Sequence, residues 1–172
     1  MLLKMISQQM TDIQLHKLDT GAKWFLIAFL IVLSIGVTIG IVYVCTTTQI
    51  DVEGTIEHYA GSESDEFDIP EKYPKSFESM LLTTHTHIIS FAIIFVLLGV
   101  LFNFNSVIRG PWKTIIMVEP LVATLVTFGS LWGIRYCDPS FAYLTIISGT
   151  LMYISFYLMT LILLYDLIRK DY

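Results

Sequence analysis

The chain of 172 residues is 55% apolar and only 15% charged, with a net charge of −5. Soluble domains average about 25% charged residues, and a chain this short cannot bury so much apolar surface in a core of its own. The composition therefore indicates a membrane protein. No cluster of basic residues with interleaved aromatic residues occurs in the sequence, so nucleic acid is not an expected partner.

The first 22 residues precede the first long apolar run and are predicted to form a cytoplasmic tail. Apolar residues recur in this tail at roughly helical spacing, which is typical of an amphipathic helix lying on the inner leaflet. These residues are Leu2, Leu3, Ile6, Met10, Ile13 and Leu18. A partly ordered tail and an amphipathic helix both fit the pattern.

Four apolar runs follow, each long enough to cross a membrane as a helix. They cover residues 23–44, 80–102, 114–134 and 141–168. About 20 apolar residues suffice for a helix to cross a hydrocarbon core of about 30 Å. Short connections between the last three runs imply antiparallel neighbours. The sequence therefore predicts an all-α fold, an antiparallel bundle of four transmembrane helices over residues 23–172.

Basic residues are unevenly distributed between the two sides of this predicted bundle. One side carries Lys4, Lys17, Lys23, Arg109, Lys113, Arg169 and Lys170, and the other carries Lys72, Lys75 and Arg135. In multi-pass membrane proteins the side richer in Lys and Arg faces the cytoplasm. We therefore expect a bacterial inner-membrane protein with both termini in the cytoplasm and the acidic loop of residues 46–79 outside.

Histidines are the most unusual polar residues near the spans. His85 and His87 lie in the first turns of the second span, and His58 lies in the loop before it. Ionisable side chains within a span are costly and are candidates for function. Two positions apart on a helix correspond to about 200°, so we expect His87 to face the bundle interior and His85 to face lipid, another subunit or the outer loop. The three histidines are candidate ligands of haem b or of a divalent metal ion.

Polar residues also recur on one face of the third and fourth spans. Glu119, Thr127 and Ser148 are predicted to line a polar interior. Hydrogen bonds between Ser and Thr on neighbouring helices are common in membrane bundles and account for such a face. A cavity for a cofactor and a path for protons are the alternatives. If the face is a path for protons, His87 and Glu119 are the side chains that would carry the proton along it.

Small residues and cysteines mark the first and third spans. Each span has a pair of glycines four residues apart, which predicts that the two helices touch. The pairs are Gly36 with Gly40, and Gly129 with Gly133. Cys45 and Cys137 follow these pairs, at ends of the spans where an exported surface permits a disulfide. A Cys45–Cys137 bond fits these positions. Two free thiols also fit, because the first and third spans are diagonal in a square bundle and this arrangement can keep the two cysteines too far apart to bond.

Several short segments resemble a group of small uncharacterised bacterial membrane proteins with four spans. The segments are Glu57-His58-Tyr59-x-Gly61, Pro74-Lys75-Ser76-Phe77-Glu78, Thr84-His85-Thr86-His87, Phe128-Gly129 and Ser140-Phe141-Ala142-Tyr143. Members of that group have a similar outer loop leading into a helix with a His-x-His motif. The resemblance implies the four-span topology and draws attention to the histidines. It implies no activity.

Three functions fit these features. The first is an accessory subunit of a larger bacterial membrane assembly, for example one related to electron transport, with the lipid bilayer and other membrane subunits as partners. The second is a redox membrane protein that binds haem b or a metal through His58, His85 and His87. The third is a small proton-coupled transporter that uses His87 and Glu119. No motif of a hydrolase or metalloprotease occurs, so an enzyme is the less favoured interpretation.

Overall fold

Five helices make up the fold of this computed structural model, which describes residues 14–62 and 69–169. The helices are α1 (Thr20–Thr48), α2 (Val52–Ala60), α3 (Phe77–Asn103), α4 (Pro111–Tyr136) and α5 (Phe141–Ile168), and a short 3-10 helix (Leu15–Lys17) precedes α1. The described residues contain no β-strand. Most of the predicted amphipathic pattern falls within residues 1–13, which lie outside the described residues.

Four of these helices, α1, α3, α4 and α5, are long and apolar enough to cross a membrane. They coincide with the four predicted apolar runs and extend beyond them by up to four residues at either end. The predicted all-α class with four spans is therefore confirmed. We call the end of the bundle that carries α2 the α2 end, and the end that carries the 3-10 helix the opposite end.

Polar caps explain why two of the helices begin before their apolar runs. At the start of α1, the Asp19 carboxylate accepts a hydrogen bond from the N–H of Ala22 at 3.1 Å. At the start of α3, the Ser76 hydroxyl oxygen accepts one from the N–H of Ser79 at 3.2 Å. Such acceptors satisfy N–H groups that have no partner within the first turn of a helix. Each helix therefore begins at its cap.

The last helix, α5, is the centre of the bundle. It packs along α4 and also contacts α1, α2 and α3. Met152 and Phe156 of α5 lie in one apolar core with Leu30 of α1 and Phe95 of α3. Ten residues of α5 are buried, compared with three of α1. The first span is therefore peripheral, with most of its surface turned away from the other helices.

The predicted close contact between the first and third spans does not form. Instead α1 packs against α5 and α2, and the hydroxyls of Thr38 on α1 and Tyr157 on α5 lie 2.7 Å apart. A Cβ atom added at Gly36, Gly40 or Gly129 would meet nothing within 4 Å. The glycine pairs are thus not used for close packing of α1 on α4, because α1 finds its hydrogen-bonding partner on α5.

A short amphipathic helix, α2, packs across one end of the bundle, over α4 and α5. Its side chains Val52, Ile56 and Tyr59 pack against buried residues of α4 and α5. Gly54 lies so close to the carbonyl group of Thr48 that a Cβ atom would overlap it. The segment predicted as an acidic loop is therefore partly helical, and part of it is packed against the spans.

Candidate functional site

The three candidate cofactor histidines have separate surroundings. His58 is half-buried and contacts the ring of Tyr59, whereas His85 is exposed. His87 is also exposed, although its ring centre lies 5.2 Å from that of Phe128 on α4. Within residues 14–62 and 69–169, no three His, Cys, Asp or Glu side chains form a group that could hold a metal ion. The role of these histidines as haem b or metal ligands stays a prediction.

Positive charge surrounds the histidine on α2. Burial, followed by the charges of Lys75 and Lys72, lowers the pKa of His58. Lys72 itself pairs with Glu57 of α2, with its Nζ atom 2.9 Å from a carboxylate oxygen. Burial also raises the pKa of the neighbouring Tyr59 to about 12. The imidazole of His58 is thus held towards its neutral form, the form in which a ring nitrogen can act as a ligand.

The second histidine of the third helix is bonded to its own backbone. The Nδ1 atom of His87 lies 2.8 Å from the carbonyl oxygen of Thr83, one turn earlier. If Nδ1 donates this bond, Nε2 is the nitrogen available to another partner. His87 therefore lies at the edge of the contact between α3 and α4 and does not point into a closed interior.

The expectation that His87 faces the bundle interior is wrong, because His87 is exposed. Thr86 and Ser90, which lie close to it on α3, are exposed as well. The hydroxyl that links α3 to α4 belongs instead to Thr84, which accepts a hydrogen bond from the indole N–H of Trp132 at 2.8 Å. Helical spacing separates the directions of His85 and His87, but it does not identify which side of the helix meets α4.

A series of polar contacts joins α4 to α5, and we call it the polar ladder. Its pairs are Ser130 with Thr145, Thr127 with Ser148, Thr124 with Met152, and Glu119 with Ser155. Successive pairs move in opposite directions along the two helices, as antiparallel packing requires. Thr127 donates to Ser148 at 2.8 Å, and both residues are buried. The predicted polar residues of the two spans thus meet each other across this interface.

The acidic member of the ladder, Glu119, has one hydrogen-bonding partner among the described residues. The hydroxyl of Ser155, which is buried, donates to the Oε2 atom of Glu119. No hydrogen bond to its Oε1 atom occurs in the described part of the chain. Glu119 is half-buried and lines a groove on the surface formed by α4 and α5. Glu119 is thus tied to α5 through Ser155.

Sequence reasoning missed a buried carboxylate at the opposite end. Asp166 is completely buried and accepts hydrogen bonds from the N–H and the hydroxyl of Ser106, at 2.9 and 2.6 Å. His16 Nδ1 and Arg169 Nε lie 3.6 and 3.9 Å from its Oδ1 atom. The available signal was that Asp166 is the only acidic residue in the fourth apolar run.

This group anchors the chain before α1. The N–H of Leu15 donates to the carbonyl of Phe104 at 3.4 Å, which places His16 beside Asp166. The arrangement does not activate a nucleophile. In a catalytic triad the imidazole lies between the serine and the carboxylate, whereas here the Ser106 hydroxyl donates directly to Asp166. The group therefore has a structural role, holding the N-terminal segment to the loop after α3.

Both cysteines are free thiols in this structure. Cys45 is half-buried near the end of α1, and Cys137 is exposed just after α4. The α1–α4 contact that would have brought them together does not form, because α1 packs on α5. A Cys45–Cys137 disulfide in the oxidised protein stays a prediction.

The four spans and their internal hydrogen bonds define an integral membrane protein of the helical-bundle class. The sequence model of a family described as a transmembrane helical domain, Aq_1264_TM, matches residues 49–172. The chain belongs to this family. The matched region contains α2 to α5, and α1 lies before it. Comparisons with curated proteins and with solved structures find no match.

Proposed function

We propose that the protein is a non-catalytic accessory subunit of a larger assembly in the bacterial inner membrane, and that α1 is the helix through which it docks. The observation that carries this proposal is the position of α1. This helix lies outside the matched family region, and only three of its 29 residues are buried. The protein therefore consists of the family domain, α2 to α5, and one further span, α1, which buries few of its residues against that domain.

The outward surface of α1 is suited to contact with another helix. Val32, Gly36, Gly40 and Tyr43 follow one another at helical spacing and form one stripe, which we call the glycine stripe. Apart from the adjoining backbone of α1 itself, no atom of the described residues lies within 4 Å of where a Cβ would stand at either glycine. Lipid solvates apolar side chains well, so exposure alone does not call for a partner. Glycines four residues apart let two helices approach closely, which is a common basis of association in membranes.

The polar interior supports a structural rather than a catalytic role. The hydroxyls of Thr127 and Ser148 bond to each other, and Asp166 is enclosed by its partners. A transport path requires polar groups that exchange partners with a substrate or with water. The pairing within the ladder favours helix association over transport.

The test is cross-linking in native membranes. A photoreactive amino acid at Val32 or Tyr43 is expected to form adducts with another membrane protein, whereas the same label at Val100, an exposed residue of α3, forms none. Changing both Gly36 and Gly40 to Leu should abolish the adduct without unfolding the chain, because both sites are open.

The matched control is Ile31→Phe, an enlargement at an exposed position on another side of the same helix. This variant should retain the adduct and the native size of the assembly on a non-denaturing gel. A wild-type chain that migrates alone, with no adduct from either position on the glycine stripe, would contradict the proposal.

A further inference from the structure

An aromatic groove lies at the α2 end of the bundle, where side chains of α3, α4 and α5 meet. Its volume is about 500 Å³, within the range of ligand sites. The rings of Phe77, Trp132, Tyr136 and Phe141 line it together with Gly129. Apart from the adjoining backbone of α4, no atom of the described residues lies within 4 Å of where a Cβ would stand at Gly129. The groove is therefore open at this glycine.

Two basic residues flank the aromatic groove. Lys75 precedes Phe77 by two residues, and Arg135 precedes Tyr136 by one. The Cζ atom of Arg135 lies 5.0 Å from the centre of the Tyr136 ring. Its Nε atom donates to the carbonyl oxygen of Lys75 at 3.0 Å. These two contacts hold the guanidinium group beside a ring that lines the groove.

The charges of these two residues are not neutralised within the described part of the chain. Lys72 is paired with Glu57, whereas Lys75 and Arg135 form no ion pair with a described carboxylate. The two Nη atoms of Arg135 also make no hydrogen bond to a described residue. Such a pair of N–H donors in a planar fork matches the geometry of a phosphate group.

The aromatic groove continues from these charges into the membrane. Because Trp and Tyr concentrate at membrane–water interfaces, Trp132 and Tyr136 are expected to place the end of α4 among the lipid head groups. Gly129 lies six residues before Arg135, which corresponds to about 9 Å along the helix towards the bilayer centre. A positive site at the level of the head groups therefore leads into an apolar groove.

We infer that the aromatic groove binds an anionic phospholipid, with its phosphate at Arg135 and Lys75 and one acyl chain passing Gly129. Aromatic rings alone would also suit a quaternary ammonium group, but the two positive charges oppose a cation. A zwitterionic phospholipid carries such a cation next to its phosphate and should bind less well. The inference does not rest on the docking role of α1.

The first experiment uses the full chain in phospholipid vesicles, with Trp24 and Trp112 changed to Phe so that Trp132 is the only tryptophan. Bromine atoms on an acyl chain quench a nearby indole, so Trp132 reports which lipid occupies the groove that it lines. Brominated phosphatidylglycerol in phosphatidylcholine is compared with the reverse mixture. Phosphatidylglycerol should bind about fivefold more tightly, as one basic side chain at a lipid surface implies. Equal affinities would overturn the inference, because they would indicate a site for any acyl chain.

Charge variants test the head-group site. Arg135→Gln should bring the two affinities to within about twofold of each other, and Lys75→Gln should lower the preference about twofold. The matched control is Lys72→Gln, which removes one positive charge from the same end of the molecule but from a lysine already paired with Glu57. It should leave the preference unchanged. Equal losses in the Arg135 and Lys72 variants would refute the site, because they would indicate a diffuse attraction of charge.

A second pair of variants tests the acyl chain. Gly129→Leu should fill the open part of the groove and remove most of the preference, while Gly40→Leu, an equal enlargement at an open glycine of α1, should retain it. A preference that survives Gly129→Leu would refute the position of the chain. Inorganic phosphate at constant ionic strength should not compete, and competition would indicate a site for a soluble anion instead.

Folding of every variant is checked by helix content and by elution as a single species. If Arg135→Gln fails this check, Lys75→Gln still tests the head-group site, because it retains the backbone carbonyl to which Arg135 donates. An unchanged preference in a folded Lys75→Gln chain would then contradict the inference.

Discussion

At the scale of single residues, the buried carboxylate Asp166 has the strongest set of partners. We expect Asp166→Ala to lower the free energy of unfolding by about 3 kcal/mol, because His16, Arg169 and the N–H of Ser106 all lose their buried acceptor. Asp166→Asn keeps an oxygen for Ser106 and should cost less. The measurement is unfolding by SDS in mixed micelles.

The control for this prediction is the exposed cap Asp19. Asp19→Ala removes one hydrogen bond, to the N–H of Ala22, and should cost about 1 kcal/mol or less. Equal losses for the Asp166 and Asp19 variants would mean that the buried group is not an anchor.

The polar ladder offers a second test, on the pair Thr127 and Ser148. Thr127→Val and Ser148→Ala each remove one side of a buried hydrogen bond of 2.8 Å. A double-mutant cycle should give a coupling of about 0.6 kcal/mol, the size found for hydrogen bonds between membrane helices. Ser90→Ala, on the exposed side of α3, should change stability little. A coupling near zero would show that the ladder does not hold α4 to α5.

Local sequence identified some of these residues and not others. Thr127 and Ser148 were accessible to prediction because each lies on a polar stripe with helical spacing. The pairing of His16 with Asp166 joins residues 150 positions apart, and it depends on where the loop after α3 places Ser106. No periodicity within a single segment contains that information.

At the scale of elements, Gly54 and Gly40 allow a direct comparison of two helical glycines. Alanine is favoured over glycine within a helix by about 1 kcal/mol. At Gly40 the added methyl group meets open space, so Gly40→Ala should be neutral or stabilising in detergent. At Gly54 it would overlap the carbonyl oxygen of Thr48, so Gly54→Ala should displace α2 and cost about 1–3 kcal/mol. Faster hydrogen exchange across α2 in the Gly54 variant alone would confirm the difference, and similar exchange in both would contradict it.

The same short helix should be sensitive to acid. Because burial and the charges of Lys75 and Lys72 lower the pKa of His58 below its ordinary value of 6.5, the unfolded segment binds a proton more readily than the folded one. The packing of α2 should therefore be full above about pH 6.5 and weaken as the pH falls through 6.5 towards the lowered pKa.

Hydrogen exchange of α2, corrected for intrinsic rates at pH 7.5 and pH 5.5, measures this effect. His58→Gln should reduce the difference between the two pH values. His85→Gln, which changes an exposed histidine on α3, should retain it. A full pH effect in the His58 variant would assign the acid sensitivity to another group.

Hydropathy predicted the elements better than their arrangement. Crossing a bilayer requires a long apolar run in each span, so α1, α3, α4 and α5 were visible from composition alone. The helix α2 has only nine residues and lies in a segment rich in acidic side chains, which masked it. The glycine pairs predicted contact between α1 and α4, but such pairs specify a surface that permits close approach and do not specify the partner.

At the scale of the whole molecule, the protein has a family domain with an attached peripheral span. The most extensive helix packing joins α4 to α5, inside the matched region, whereas α1 contributes few buried residues. The proposed docking surface on α1 lies outside the interface between α4 and α5. Changes to the glycine stripe are therefore expected to disturb partner binding and to leave the packing of the family domain intact.

Orientation in the membrane is a property of the whole chain and follows from its basic residues. The sequence assigns seven Lys and Arg to the side of the termini and three to the side of α2, so the opposite end should face the cytoplasm. In a background with Cys45 and Cys137 changed to Ser, Ser140→Cys should react with an impermeant maleimide in intact spheroplasts. Val107→Cys, in the loop after α3, should react only after permeabilisation. Both positions are exposed, and both changes leave every basic residue in place. The reverse pattern would place α2 and its acidic segment in the cytoplasm, and would mean that contacts with an assembly partner override the charge bias during insertion.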